Sequence, residues 1–128
     1  MQLAIKRVYE QPEKSDGYRV LVDRLWPRGL TKQAASLDLW AKEAAPSPEL
    51  RRSWHADPEA HTPEHFAEFA AAYRDELSRS PAREALERLA ALAREHDRLT
   101  LLYGARDTGV NHAVVLRDVL LEALGQDA

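Results

Sequence analysis

Leu99-Thr100-Leu101-Leu102-Tyr103 is a continuous apolar run closed by Gly104. It is too short for a typical helix, and it reads as a strand buried on both faces. A strand covered above and below needs flanking layers. The chain is therefore expected to be α/β: a small three-layer domain with a mostly parallel central sheet flanked by helices.

The segments around that run fit the same plan. Leu3-Ala4-Ile5-Lys6-Arg7-Val8-Tyr9 reads as a first strand, followed by a turn-rich stretch ending at Asp16-Gly17. Both of those residues tolerate positive φ. Tyr18-Arg19-Val20-Leu21-Val22-Asp23 reads as a second strand, and the alternation in Leu37-Asp38-Leu39-Trp40-Ala41 favours a third over a short helix. Ser47-Pro48-Glu49, Thr62-Pro63-Glu64 and Ser80-Pro81 each place a hydroxyl N-cap before a proline at the first helical position. Phe66, Phe69, Ala70, Tyr73 and Leu77 share one helical stripe, and Leu86, Leu89, Ala90 and Ala93 share another. The last helix is expected from about Asn111, with Ala113, Leu116, Val119, Leu120 and Leu124 inward, stopping at Gly125.

The 128 residues make one domain, with no internal repeat and no linker. The absence of cysteine excludes disulfides, thiolate metal sites and cysteine nucleophiles. No apolar run is long enough to cross a bilayer, so a cytoplasmic protein without membrane contact is expected. The net charge of -3 argues against a general polyanion binder. Yet the charge is unevenly spread. Residues 1–32 carry seven basic and four acidic side chains, while the remainder has an acidic excess. A basic segment of this kind marks where a small anion would go, and makes nucleic acid an unlikely partner.

Ligands of open parallel sheets bind beyond the carboxyl ends of the strands. Two such ends stand out. One reads Asp23-Arg24-Leu25-Trp26-Pro27-Arg28-Gly29-Leu30, the other Gly104-Ala105-Arg106-Asp107-Thr108-Gly109-Val110-Asn111-His112. If their strands are neighbours, Arg24, Arg28 and Arg106 converge on one pocket as anion clamps. Trp26 would form its wall, and Asn111 or Thr108 would cap the helix whose amides face the anion. Asp23 and His112 are the acid–base candidates. The plainer alternatives are an ion pair at Asp23-Arg24, an Arg106–Asp107 pair, and a His112 that only caps. His55, His61 and His65 invite a zinc reading, but Thr62-Pro63 keeps His61 and His65 off one helical face, so no metal is expected. The serines lack a nucleophile-elbow context.

The stretch from Asp16 to Leu30 with Lys32, together with Leu39-Trp40-Ala41-Lys42-Glu43-Ala44-Ala45-Pro46-Ser47 and the run from Leu99 to Ala113, resembles the YeaO-like family, catalogued as domain of unknown function 488. The likeness covers nearly the whole chain, making residues 1–128 one YeaO-like α/β domain. It implies a soluble bacterial or archaeal protein and carries over no settled activity or cofactor. More distant members resemble a Leu-Leu-Cys … Cys-His-Arg pattern. Here those positions are held by Tyr103, Asn111, His112 and Ala113, so only the histidine is shared. Some members are labelled porphyrin methyltransferases, but the glycine-rich loop and ribose-binding acid of such enzymes are missing. The reading is of a domain that binds, and in an enzymatic version transforms, an anionic small molecule. A non-catalytic binding or regulatory module is the alternative, as is weak nucleic-acid contact through the basic segment. Oligomeric state is not legible.

Overall fold

The computed structural model describes residues 2–125. Four strands, β1 (Gln2–Arg7), β2 (Tyr18–Leu21), β3 (Leu39–Trp40) and β4 (Arg98–Tyr103), form one parallel sheet in the order β1-β4-β2-β3. The helices are α1 (Lys32–Ala35), α2 (Pro48–Ala56), α3 (Pro63–Leu77), α4 (Ala82–Glu95) and α5 (His112–Ala123). As its composition predicts, β4 lies inside the sheet, with Leu99 through Tyr103 all buried. Its register sets Leu101 beside both Ile5 and Val20.

Side chains alternate across each strand, so the two faces of the sheet bury different residues. On one face Val20, Leu99, Leu101 and Tyr103 pack with the inward stripes of α3, α4 and α5. On the other, Leu21 and Leu102 meet Val8, Trp26, Leu30, Leu37 and Trp40. The layer on that second face is thus the connection 23–38, which contains only the one-turn helix α1.

Around the start of β2 the second face holds charge. The Asp16 carboxylate accepts hydrogen bonds from Lys6 Nζ at 3.0 Å, from the Glu13 amide at 3.0 Å, and from the Arg19 guanidinium. Arg19 also donates to the carbonyls of Ser36 at 3.0 Å and Ala35 at 2.8 Å, tying α1 to β2. Burial by itself pushes the Asp16 carboxyl up, but the Glu13 amide, Lys6 and Arg19 together hold it below the usual carboxylate value. Gly17 follows with a φ of 67°, where a Cβ would stand 2.2 Å from the Arg98 carbonyl oxygen.

Ser47 and Thr62 cap α2 and α3 as expected, accepting from the amides of Leu50 and His65, and Asn111 caps α5 by accepting from Val114. The third hydroxyl–proline pair departs from this pattern. Pro81 itself occupies the N-cap of α4, which leaves the Ser80 hydroxyl one residue too early to reach the capping amides. It donates instead to the Glu84 carboxylate at 2.6 Å. Among the described residues, no helix is long and apolar enough to cross a membrane.

Candidate ligand pocket at the carboxyl edge of the sheet

Because β2 and β4 are parallel neighbours, the loops that follow them leave the sheet side by side. The Val22 amide still bonds the Leu102 carbonyl at 3.0 Å, extending the pairing one residue past β2. Immediately beyond, the Gly104 amide donates to Asp23 Oδ2 at 2.9 Å and joins the two loops. A Cβ at position 104 would lie 2.9 Å from that same oxygen, so glycine admits this close approach.

A cavity of about 350 Å³ opens here. The loop after β2 contributes Asp23, Arg24, Trp26 and Arg28, the start of α5 contributes Asn111 and His112, and α2 contributes Arg51, Trp54 and His55. Residues 51, 54 and 55 fall on one face of α2 by helical spacing. That helix is held in place from its first turn: the Ser47 amide and hydroxyl donate to the Glu76 carboxylate of α3 at 2.8 and 2.5 Å. Tyr73, buried one turn earlier on α3, donates to the Ala44 carbonyl at 2.5 Å, and burial pushes its phenol well above the ordinary range.

Asp23 and His112 come together. His112 Nε2 lies 2.9 Å from the Val22 carbonyl oxygen and 3.2 Å from Asp23 Oδ1. A carbonyl only accepts, so Nε2 carries a proton, and in the neutral ring the lone pair is on Nδ1. The proton is directed at Val22 rather than at the carboxylate. Asp23 Oδ1 is accordingly buried with no hydrogen-bond donor among the described residues, although it stands within ion-pair distance of the ring. His112 Nδ1 has no hydrogen-bond partner there either, and it is not sealed from solvent as Oδ1 is. Such an imidazole has a fixed tautomer and one available nitrogen, suited to accept or donate a proton or to bond a ligand.

The expected cations divide by what they already bond. Arg24 lines the cavity but spends its guanidinium on the carbonyls of Ala45 at 3.2 Å and Pro46 at 3.4 Å, with Glu43 at 3.6 Å. Arg28 lines the cavity and its side chain has no hydrogen bond or ion pair among the described residues. Arg106, expected to converge with them, is exposed on its loop and contributes nothing to the lining. Arg7 explains part of this arrangement. It bonds the carbonyls of Gly104 and Ala105, pinning the start of that loop from the β1 side.

Trp26 forms part of the lining, while its Nε1 donates to the Leu30 carbonyl at 2.6 Å and its ring meets Trp40 edge-on at 5.3 Å. The Asn111 amide is committed to structure, accepting from the Val114 amide and donating to the Asp107 carbonyl at 2.8 Å. Asp107 pairs with the amides of Gly109 and Val110, not with Arg106.

Arg51, Trp54 and His55 are the contributors from α2 that sequence reasoning missed. Trp54 packs on Phe69 at 4.3 Å and lines the cavity as well. Their spacing on α2 was the available signal; the direction that face points was not. Burial and the nearby Arg51 and His112 hold the His55 imidazole below its usual value, with Asp23 opposing. His65 is elsewhere, paired with Asp57 at 2.5 Å, and the described residues contain no cluster of three or more His, Cys, Asp or Glu placed to hold a metal ion.

A parallel sheet with a loop-built pocket at its carboxyl edge defines a small α/β domain. The family model described as "Inactive DUF488-N3 subclade" matches residues 2–128, and the chain belongs to that family. It is similar to the "uncharacterized protein YeaO" of Escherichia coli K12, 46% identical over 120 residues, which covers 94% of this chain and 97% of that protein. It is also similar to the "uncharacterized protein Rv3073c" of Mycobacterium tuberculosis H37Rv, 39% identical over 119 residues, 93% of each chain. No solved structure matches.

Proposed function

We propose that this protein binds a small phosphate- or carboxylate-bearing molecule in the cavity between the loops after β2 and β4, and holds it without turnover. The observation that carries this reading is the lining itself: Arg28 and Arg51, both without a side-chain partner among the described residues, share one cavity with the available nitrogen of His112. Arginine is suited to planar bidentate recognition of such anions. The amino end of α5, whose dipole favours negative charge, begins at the same place.

Two further facts support binding over catalysis. The family's own description is that of an inactive subclade. In addition, the positions that resemble cysteines in distant members are Tyr103 and Asn111, both buried and neither a thiol. The Asp23–His112 pair favours a second, enzymatic reading in which His112 moves a proton at Nδ1 while Val22 and Asp23 orient the ring. Nucleic-acid contact draws no support, since Lys6, Arg7, Arg19 and Arg24 of the basic segment are all bonded internally. The cytoplasm is the setting in keeping with a cysteine-free chain.

Thermal-shift titration with inorganic phosphate and sulfate tests the proposal. Both anions are expected to raise the melting temperature of the wild-type protein. The shift should be lost in Arg28→Ala and Arg51→Ala and kept in Arg106→Ala. An unchanged shift in the first two variants would refute the site. Turnover of a bound ligand that disappears in His112→Gln would replace the non-catalytic reading with the enzymatic one.

A further inference from the structure

We infer that the ligand is an aromatic anion, a planar ring system carrying the phosphate or carboxylate; this rests on the anion pocket proposed above and narrows it. Among the described residues the exposed large hydrophobic side chains are Tyr9, 43% exposed, and Leu25, 56% exposed, and both line this one cavity. Single exposed apolar residues are ordinary on a surface. Two at the same opening, beside arginines, form an apolar rim next to a cationic site.

Deeper in the lining stand two indoles whose positions are set before any ligand arrives. Trp26 is fixed by its bond to the Leu30 carbonyl and its edge contact with Trp40. Trp54 is fixed by packing on Phe69 and, at 5.7 Å, on Phe66. Rigid aromatic walls lose little rotamer freedom on binding, and they favour flat partners.

The size points the same way. A cavity of about 350 Å³ holds far more than a lone phosphate, and lies at the small end of organic-ligand pockets, which run from roughly 300 to 1,000 Å³. The polar groups argue against a sugar phosphate as the occupant. Hydroxyls need free donors and acceptors, but the Asn111 amide is spent on Val114 and Asp107, and Asp23 Oδ2 on Gly104. Asp23 Oδ1 is sealed beside His112. What remains open is arginine for the anion, the His112 and His55 imidazoles, and aromatic or aliphatic surface for the rest, with no free carboxylate or amide to pair a row of hydroxyls.

The test is calorimetric titration of the full chain with inorganic phosphate, ribose 5-phosphate, phenyl phosphate, acetate and benzoate. A ring-bearing anion, phenyl phosphate or benzoate, is expected to bind at least about tenfold tighter than its ringless counterpart, the gain that one aromatic stack supplies. Ribose 5-phosphate should resemble inorganic phosphate. Leu25→Asn, at an exposed position, should reduce that preference several-fold and leave inorganic phosphate unaffected, and Trp54→Leu should do the same if its circular dichroism shows a folded protein. Equal affinities for ringed and ringless anions would overturn the aromatic assignment and leave the anion pocket standing. Loss of inorganic phosphate binding in Leu25→Asn would also overturn it. Failure of every probe at millimolar concentration would overturn both readings.

Discussion

Replacing Asp16 with alanine removes the carboxylate shared by two cations that are themselves mostly buried. The exposed fraction of the side chain is 12% for Lys6 and 6% for both Arg19 and Asp16. Removing one partner from a buried ionic group strands the others, at a cost of about 3–5 kcal/mol. Here Lys6 keeps the Gln11 carbonyl at 2.9 Å, and Arg19 keeps the carbonyls of Ser36 and Ala35, so the lower end of that range is expected. For a domain of this size the loss corresponds to a fall in melting temperature of roughly 10–15 °C. Urea unfolding followed by circular dichroism measures it directly, with Glu13→Ala as the comparison. Glu13 also pairs with Lys6, but its side chain is 64% exposed. That variant should lose no more than about 1 kcal/mol, as surface pairs do. The cluster also has a pH signature. Asp16 is held below its ordinary 3.8, so its contribution is fully present above that value and is lost as pH falls through the lower folded-state pKa. The acid limb of the wild-type stability curve should flatten in Asp16→Ala. A loss within about 1 kcal/mol, equal to that of Glu13→Ala, would refute the view that this cluster fastens the 23–38 layer to the sheet.

Two other expectations follow from local geometry. Gly17→Ala combines a φ of 67° with a Cβ placed 2.2 Å from the Arg98 carbonyl oxygen, and should destabilise by at least about 2 kcal/mol in the same urea assay. The Asp57 hydrogen bond holds His65 above its ordinary 6.5, so its stabilising charge is complete below that pH and disappears as pH rises through the higher folded-state pKa. An NMR titration should place the His65 midpoint above 6.5 in the wild type and lower it in Asp57→Asn.

Local pattern carried much of the fold. The unbroken apolar run at Leu99 through Tyr103 identified the interior strand because burial on both faces leaves no polar alternation. Ser47, Thr62 and Asn111 announced their helices because capping depends only on residues three apart in the chain. Ser80 shows where that logic ends: the residue types were right, but the helix began one position later. In the candidate site, the two loops were legible from their glycines, arginines and aromatic, and the neighbouring placement of β2 and β4 then brought Asp23, Arg28 and His112 to one opening.

Charge was the most misleading signal. The basic excess in residues 1–32 points to an anion, but Arg7, Arg19 and Arg24 answer to partners distant in sequence. Arg7 bonds carbonyls near position 104, and Arg24 bonds those of Ala45 and Pro46. A tally of charges cannot distinguish a cation satisfied across the fold from one left open to a ligand, because that depends on which backbone groups the topology leaves unpaired nearby. The sequence by itself determined the parallel α/β class, the cysteine-free chemistry and the two loops in which an anion site would lie. Only the tertiary structure decided the membership of that site. It turned α2, fastened to α3 through Ser47 and Glu76, so that Arg51, Trp54 and His55 face the cavity; it used up Arg24 on the Ala45 and Pro46 carbonyls and left Arg106 outside, because each of these depends on groups brought together from distant parts of the chain.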